Sequence, residues 1–313
     1  MSEMAIAADI GGSHVEFGIV REDRVLIAGT IEVRKASVKA VLPQLEAGIR
    51  TLLSKPDIAQ HEIAGVALGI CAIADGTGPV LAANGKYEDA VGFDFARWSE
   101  NNFGLPCRVE NDARLALLGE QFAGAAKGYD DAVLVTLGTG IGGAVMLGGR
   151  LLQSRGHRAG GVAGHLGVKW NGRTCGCGNR GCAEAEASTS VLDAICRELK
   201  DFSKSTLATA TEAIDFHRLF DAADAGDALA QEVLDRCIGV WSALAVTLIH
   251  AYDPQIIVFG GGVMRRHEAI LPRIREYVSR HAWAEPGSVK IVPAALGSSA
   301  ALLGALPLLR RRP

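Results

Sequence analysis

The chain has 313 residues, enough for two domains of ordinary size, each with its own core. Hydrophobic residues make up 49% and charged residues 21%, and the formal net charge is -3, a balance that suits a globular protein and excludes the concentrated basic face that nucleic acid requires. Apolar runs are broken by Gly, Asp or Pro, so no membrane span is expected, and the opening MSEMAIAADIGG lacks the pattern of a secretory signal. Seven cysteines, an odd number and clustered, fit metal binding in a reducing compartment better than disulfides, and the expected location is cytoplasmic.

Residues 5–10, AIAADI, form a short apolar run that ends in an acid; Gly11-Gly12-Ser13 and a second apolar run, 15–20, follow. This pattern predicts a β-hairpin whose turn offers unhindered N–H groups and a hydroxyl, a cradle for phosphate, with Asp9 placed to hold Mg²⁺. A Gly-Gly hairpin also forms without any ligand. No Walker loop occurs.

Apolar spacing predicts a helix over 38–54, a buried strand over 63–70, and loops carrying Cys71–Pro79 and Asn84. A strand end at 107–110 and a helix over 113–122 flank Asn111 and Asp112. Asp112 reads either as a plain N-cap or as a general base kept ionised by the helix dipole.

The design of residues 5–20 returns at 132–147, where the strand AVLVTL runs into GTGIGGAVMLGG, about 127 residues after the first turn. A third strand, 255–259, ends in Gly260-Gly261-Gly262 and leads toward a helix, a turn on which a nucleotide can lie close to the backbone.

Between these stands GHLGVKWNGRTCGCGNRGCAEAEAS, residues 164–188. Cys175, Cys177 and Cys182 fall within eight residues, and His165 precedes them by ten. Three thiolates and an imidazole are a closed tetrahedral zinc set, and such a knot would brace Glu184 beside whatever His165 faces. The plainer alternative is a glycine-rich loop with free thiols, in which Glu184 and Glu186 open the next helix. Helical spacing covers 189–200, 206–221 and 227–250; a strand at 290–292 and a small-residue helix at 297–309, packed back on the first domain, complete the chain.

DIGGS at 9–13, ENDA at 110–113, LGTGIGG at 137–143, CGCGNRGCAE at 175–184 and FGGGV at 259–263 occur in that order. Over about residues 5–305 the chain resembles the ROK family (repressor, open reading frame, kinase), including its glucokinase-like and N-acetylmannosamine kinase-like members. The resemblance implies an α/β, actin-like ATPase (ribonuclease H-like) fold with two lobes and a nucleotide/sugar cleft. The first lobe would comprise 1–113 with the returning helix 297–313; the second, 114–296, would hold the zinc knot 165–182. It further implies an ATP-dependent sugar kinase with Mg²⁺ and structural Zn²⁺, acting on a hexose, N-acetylhexosamine or related carbohydrate, and a homodimer. By this likeness Asp112 is the base. Asp9, Gly11, Gly12 and Ser13 form one phosphate loop, Gly138, Thr139 and Gly140 the other, and Gly260, Gly261 and Gly262 line the adenosine. Asn84, Asn111, His165 and Glu184 contact the sugar, while His165, Cys175, Cys177 and Cys182 bind zinc.

The sequence also departs from the family. The usual G-E-x-G-H is GVAGH, which puts Val162 at the glutamate position; an alternative register puts His165 there and Val168 at the zinc ligand. The P-G-P loop is Cys71-Ala72-Ile73, a common basic residue is His14, and the residue after N-D-A is Arg114. These changes leave open a catalytically weak sugar-binding or regulatory protein of the same family.

Overall fold

The computed structural model describes residues 3–59, 61–285 and 287–311. Two contact-dense units emerge: residues 1–130, 144–161 and 294–313 form one, and residues 131–143 and 162–293 the other.

In the first unit, β1 (Met4–Ile10), β2 (His14–Arg21) and β3 (Arg24–Glu32) form an antiparallel meander. Strand β4 (Ile63–Ile70) pairs parallel with β1 on its other side. A small hairpin, β5 (Ile73–Ala74) with β6 (Val80–Ala82), follows, and β7 (Cys107–Asn111) then completes the sheet in the order β3-β2-β1-β4-β7. Strands β1 and β4 are buried along nearly their whole length, which is why they read as continuous apolar runs rather than alternating ones. The helix Val38–Leu53 seals one face with Val38, Val41, Leu42, Leu45, Ile49 and Leu52; its Pro43 falls within the first two turns.

The helix Asp112–Ala123 also belongs to this unit, so the division falls at 130/131 rather than at the expected 113/114. Glu120, fully buried on that helix, explains the attachment. Its carboxylate accepts the N–H groups of Ala125 at 2.7 Å, Ala295 at 3.2 Å and Leu296 at 2.9 Å. Three N–H donors satisfy the buried charge and clamp the returning segment to the helix. The expected helix at 297–309 is two short ones, Ser299–Leu303 and Ala305–Arg310, meeting at Gly304, and they pack on Asp112–Ala123 and on β4.

In the second unit, β8 (Ala132–Leu137) is flanked by the start of β9 (Ile141–Leu147) and by β11 (Ile256–Gly260); β12 (Lys290–Pro293) pairs with β11. β8, β11 and β12 are parallel. β9 continues into the first unit's residues 144–161, where it pairs antiparallel with β10 (Arg150–Leu151).

One expectation is corrected here. The stretch 206–221 is not one helix: Thr206–Thr209 is a single 3₁₀ turn, and the α-helix starts only at Phe216, capped by Asp215. Asp227 accounts for the break, because its carboxylate accepts from the Ser205 hydroxyl and from Thr206 N–H and hydroxyl, fixing the chain in a local turn. The expected helix over 227–250 is Ala228–Tyr252, which is long and apolar enough to cross a membrane by length and composition alone. Half of its apolar window is buried inside the unit. Trp241 is fully buried on it and donates Nε1–H to Ala187 O at 3.1 Å, as in a core helix.

Candidate active site and metal centre

Asp9 lies near the end of β1, opposite Glu16 on β2 and beside Gly69 on β4. The turn that follows is closed by Gly11 N–H donating to His14 O at 3.1 Å, and Ser13 is exposed at its tip. Asp9 Oδ1 is buried with no hydrogen-bond partner among the described residues. Burial first, then the charges of Asp112 and Glu16, push the Asp9 carboxyl up to about 8. A buried carboxylate oxygen without a hydrogen-bond partner, near a second carboxylate, is the environment that a hard cation relieves, so Asp9 fits Mg²⁺.

Asp112 is the first residue of its helix. The N-cap is Asn111, whose Oδ1 accepts from Arg114 N–H at 3.2 Å, so Asp112 is not the cap. The Asn111 amide nitrogen donates to Ala72 O at 3.2 Å and to Asp112 Oδ1 at 2.9 Å, and Asp112 Oδ1 also accepts Ala113 N–H at 2.8 Å. One carboxylate oxygen is therefore locked, and Oδ2 is the oxygen able to take a proton. Burial raises the pKa of Asp112, while these donors and the Lys86 ammonium act against the rise.

Behind this pair sits a buried ion pair that the sequence marked only as a departure. Arg114 Nε stands 3.0 Å from Glu110 Oε1, and Arg114 Nη1 donates to Leu152 O at 2.9 Å. Glu110 Oε1 also accepts Asn111 N–H at 2.9 Å, which sets the backbone from which Asn111 and Asp112 project. Asn84 lies exposed, two residues before Lys86. Lys86 and Tyr87 carry no motif or periodicity that would have singled them out. Yet Tyr87 is fully buried and donates its hydroxyl to Gly11 O at 2.7 Å, tying residues 84–89 to the turn.

In the second unit the turn Gly138-Thr139-Gly140 follows β8. Its carbonyls are held from the start of the helix Thr189–Glu198: Thr189 N–H donates to Gly138 O at 3.0 Å and Ser190 N–H to Thr139 O at 3.1 Å. Gly260 ends β11, and Gly261 follows with φ 89°. A Cβ there would come within 2.3 Å of Leu137 O, so the two glycine turns lie at the carboxyl ends of neighbouring parallel strands, a recurring place for ligands in α/β sheets.

Glu184 joins the two site classes that the sequence kept apart. Its Oε2 accepts Ile141 N–H at 2.9 Å, directly after the Gly138–Gly140 turn. A Cβ on Gly140 would come within 2.4 Å of the same oxygen, so glycine is required for this carboxylate to reach the backbone.

The ligand atoms of His165, Cys175, Cys177 and Cys182 all lie within 4.8 Å of one another. Cys175 Sγ is 3.5 Å from His165 Nδ1, and Cys177 Sγ is 3.7 Å from Cys182 Sγ. A disulfide needs about 2.05 Å. Zinc bonds of about 2.3 Å to sulfur and 2.0–2.1 Å to nitrogen give tetrahedral edges of about 3.8 and 3.6 Å, which the observed spacings match. Burial and the other two thiols push Cys182 up to about 12, so three thiolates need a cation among them. The donor set fits structural zinc. His165 itself gathers with the three cysteines, the arrangement expected of the register that aligns Val162 with the family glutamate.

Glu186, which the sequence offered only as a helix opener, braces the loop. Burial would raise its pKa, but Arg173 N–H at 2.5 Å and Arg236 Nη2 at 2.8 Å bring it below the usual carboxylate value.

The profile of the ROK family matches residues 5–312. A glucokinase of Thermotoga maritima is 32% identical over 313 residues, covering 98% of this chain and 97% of its own length. An N-acetylmannosamine kinase of Yersinia pestis is 31% identical over 265 residues, covering 82% of each. Among solved structures, a ROK glucokinase of Streptomyces griseus in complex with glucose and AMPPNP superposes with a TM-score of 0.80 at 28% identity, covering 97% of this chain and 98% of that one. The chain belongs to the ROK family and has the actin-like ATPase fold of its glucokinases.

Proposed function

We propose that this chain transfers the γ-phosphoryl group of ATP to a hydroxyl of a hexose, N-acetylhexosamine or related sugar, with Asp112 as general base. The observation that carries the reading is the asymmetry of the Asp112 carboxylate. Oδ1 is fixed by Ala113 N–H and the Asn111 amide, and Oδ2 is left to accept a hydroxyl proton. The sugar kinases among the relatives support the same chemistry.

Phosphoryl transfer rests on positioning and charge stabilisation. In the first unit, Gly11 closes the turn, Gly12 and Ser13 supply donors to phosphate, and Asp9 would hold Mg²⁺. In the second, Gly138, Thr139 and Gly140 supply a further phosphate turn, and Gly260, Gly261 and Gly262 lie along the adenosine. Bound Mg²⁺ neutralises charge on the polyphosphate. Asn84, Asn111 and Glu184 bind sugar hydroxyls. His165 turns Nδ1 toward the thiols, which leaves Nε2 for the sugar. Bound zinc would fix the loop 165–182 and hold that imidazole in one orientation. A thiol-rich metal centre agrees with a reducing, cytoplasmic setting, and we read the active species as a homodimer.

A second reading, a weakly active sugar-binding or regulatory protein, draws on Val162, which cannot accept a hydrogen bond where related kinases carry glutamate. Coupled ADP production across monosaccharides and amino sugars, run beside Asp112→Asn, separates the two. We expect one sugar to turn over and the variant to lose about 10²- to 10⁴-fold. Turnover surviving in the variant removes Asp112 as base; AMPPNP binding without turnover on any sugar favours the regulatory reading.

A further inference from the structure

Lys86 is the charged group at the first phosphate turn to which the reading above gives no task. Its side chain lies across Gly12: a Cβ on that glycine would come within 2.3 Å of Nζ, 2.9 Å of Cε and 3.0 Å of Cδ. A lysine serving only solubility would extend into water, whereas this one is half-buried over backbone. It has no ion pair within 4.0 Å among the described residues, so the ammonium is not already spent on a carboxylate.

The segment that carries it is anchored on its C-terminal side. Tyr87 donates its hydroxyl to Gly11 O at 2.7 Å and its N–H to Ala36 O at 3.0 Å, from a left-handed backbone conformation with φ 53°. Asp89 accepts the Ser37 hydroxyl at 2.7 Å and the N–H groups of Val38 and Lys39 at 2.9 and 3.1 Å. Gly85 N–H donates to Glu88 Oε1 at 3.1 Å. The position of Lys86 over the turn is therefore built, not incidental.

We propose that Lys86 engages the terminal phosphate of the nucleotide at the Gly11–Ser13 turn and stabilises the charge of the phosphoryl group as it transfers. The inference rests on the kinase reading. In that step the bond between the γ-phosphorus and the bridging oxygen breaks and the sugar oxygen–phosphorus bond forms. The bond electrons leave on ADP, and the hydroxyl proton passes to Asp112. Negative charge spread over the equatorial oxygens is what a compact ammonium with three donors can meet.

The test compares AMPPNP and ADP binding by calorimetry, and kcat, in the wild type, Lys86→Met and Lys86→Arg. A ligand to the terminal phosphate matters for AMPPNP and not for ADP. Lys86→Met should weaken AMPPNP about ten- to hundredfold with ADP nearly unchanged, and lower kcat about 10²- to 10³-fold. Lys86→Arg, which keeps the charge, should recover most of both. Equal loss for the two nucleotides, no loss, or tighter AMPPNP binding in Lys86→Met overturns the assignment while leaving the kinase reading in place. A folded wild type that binds neither nucleotide overturns both.

Discussion

Asp9 gives the metal-free protein a pH-dependent instability that one substitution removes. Its Oδ1 is buried and unpartnered, and burial, followed by Asp112 and Glu16, raises its pKa from 3.8 to about 8. Between those values the unfolded chain has released the proton and the folded chain has kept it. Stability from this group therefore falls as pH rises, by about 1.4 kcal/mol per unit, and no cost remains below 3.8. Integrated to pH 7 the cost is about 4 kcal/mol at most, against about 1.7 kcal/mol at pH 5. Asp9→Asn removes the charge but leaves a buried amide to satisfy, so its net gain at pH 7 is about 2–4 kcal/mol. Urea denaturation at pH 5, 6, 7 and 8 in metal-free buffer measures the gap between variant and wild type. It should widen steadily with pH and level off above 8, and Mg²⁺ with AMPPNP should close it by stabilising the wild type alone. A gap that stays constant from pH 5 to 8 refutes the reasoning. On the proposed reading catalysis moves the opposite way: the more stable variant lacks the proposed cation ligand.

The remaining predictions concern the second unit. Purified protein should carry about one zinc per chain, and Cys182→Ser should lower both metal content and melting temperature; an intact fold with far less zinc counts against the centre. Gly140→Ala places a Cβ within 2.4 Å of Glu184 Oε2 and should push that carboxylate off Ile141 N–H, costing about 1–3 kcal/mol and raising KM for ATP. Gly138→Ala, whose Cβ would meet nothing within 4 Å, is the control for stability, and an equal stability loss from the two would remove Glu184 from the explanation.

What the sequence made legible follows from how local each signal is. The turns at 11–13, 138–140 and 260–262 follow strands that are apolar because both their faces are buried, and the pattern survives without tertiary information. The cluster of His165, Cys175, Cys177 and Cys182 was legible because thiols and imidazole have few other reasons to gather within so short a stretch. The false helix at 206–221 arose because apolar spacing says nothing of Asp227, which pulls Ser205 and Thr206 into a turn from more than twenty residues away. Ala228–Tyr252 was legible as a helix because its apolar spacing runs unbroken by Pro until Pro254. Lys86 was invisible because only the fold brings it over Gly12.

The second unit also shows how the candidate metal centre would bear on the proposed reaction through the chain it shares with Glu184. Cys182 is both a candidate ligand and the N-cap of the helix Ala183–Ala187, so the metal loop and that helix share a residue. Two residues on, Glu184 holds Ile141 N–H; four residues on, Glu186 holds Arg173 N–H, returning to the loop. Thr189 and Ser190 then fix the carbonyls of Gly138 and Thr139. The candidate metal ligands, a proposed sugar carboxylate and the proposed phosphate turn thus form one continuous hydrogen-bonded piece. Loss of a bound metal would free Cys182, and with it the register of Glu184 against Gly140. The Asp112–Asn111 bonds of the first unit have no part in that chain of contacts. Metal removal should accordingly weaken nucleotide and sugar binding together, while the ionisation of the proposed base stays where burial and its own donors put it.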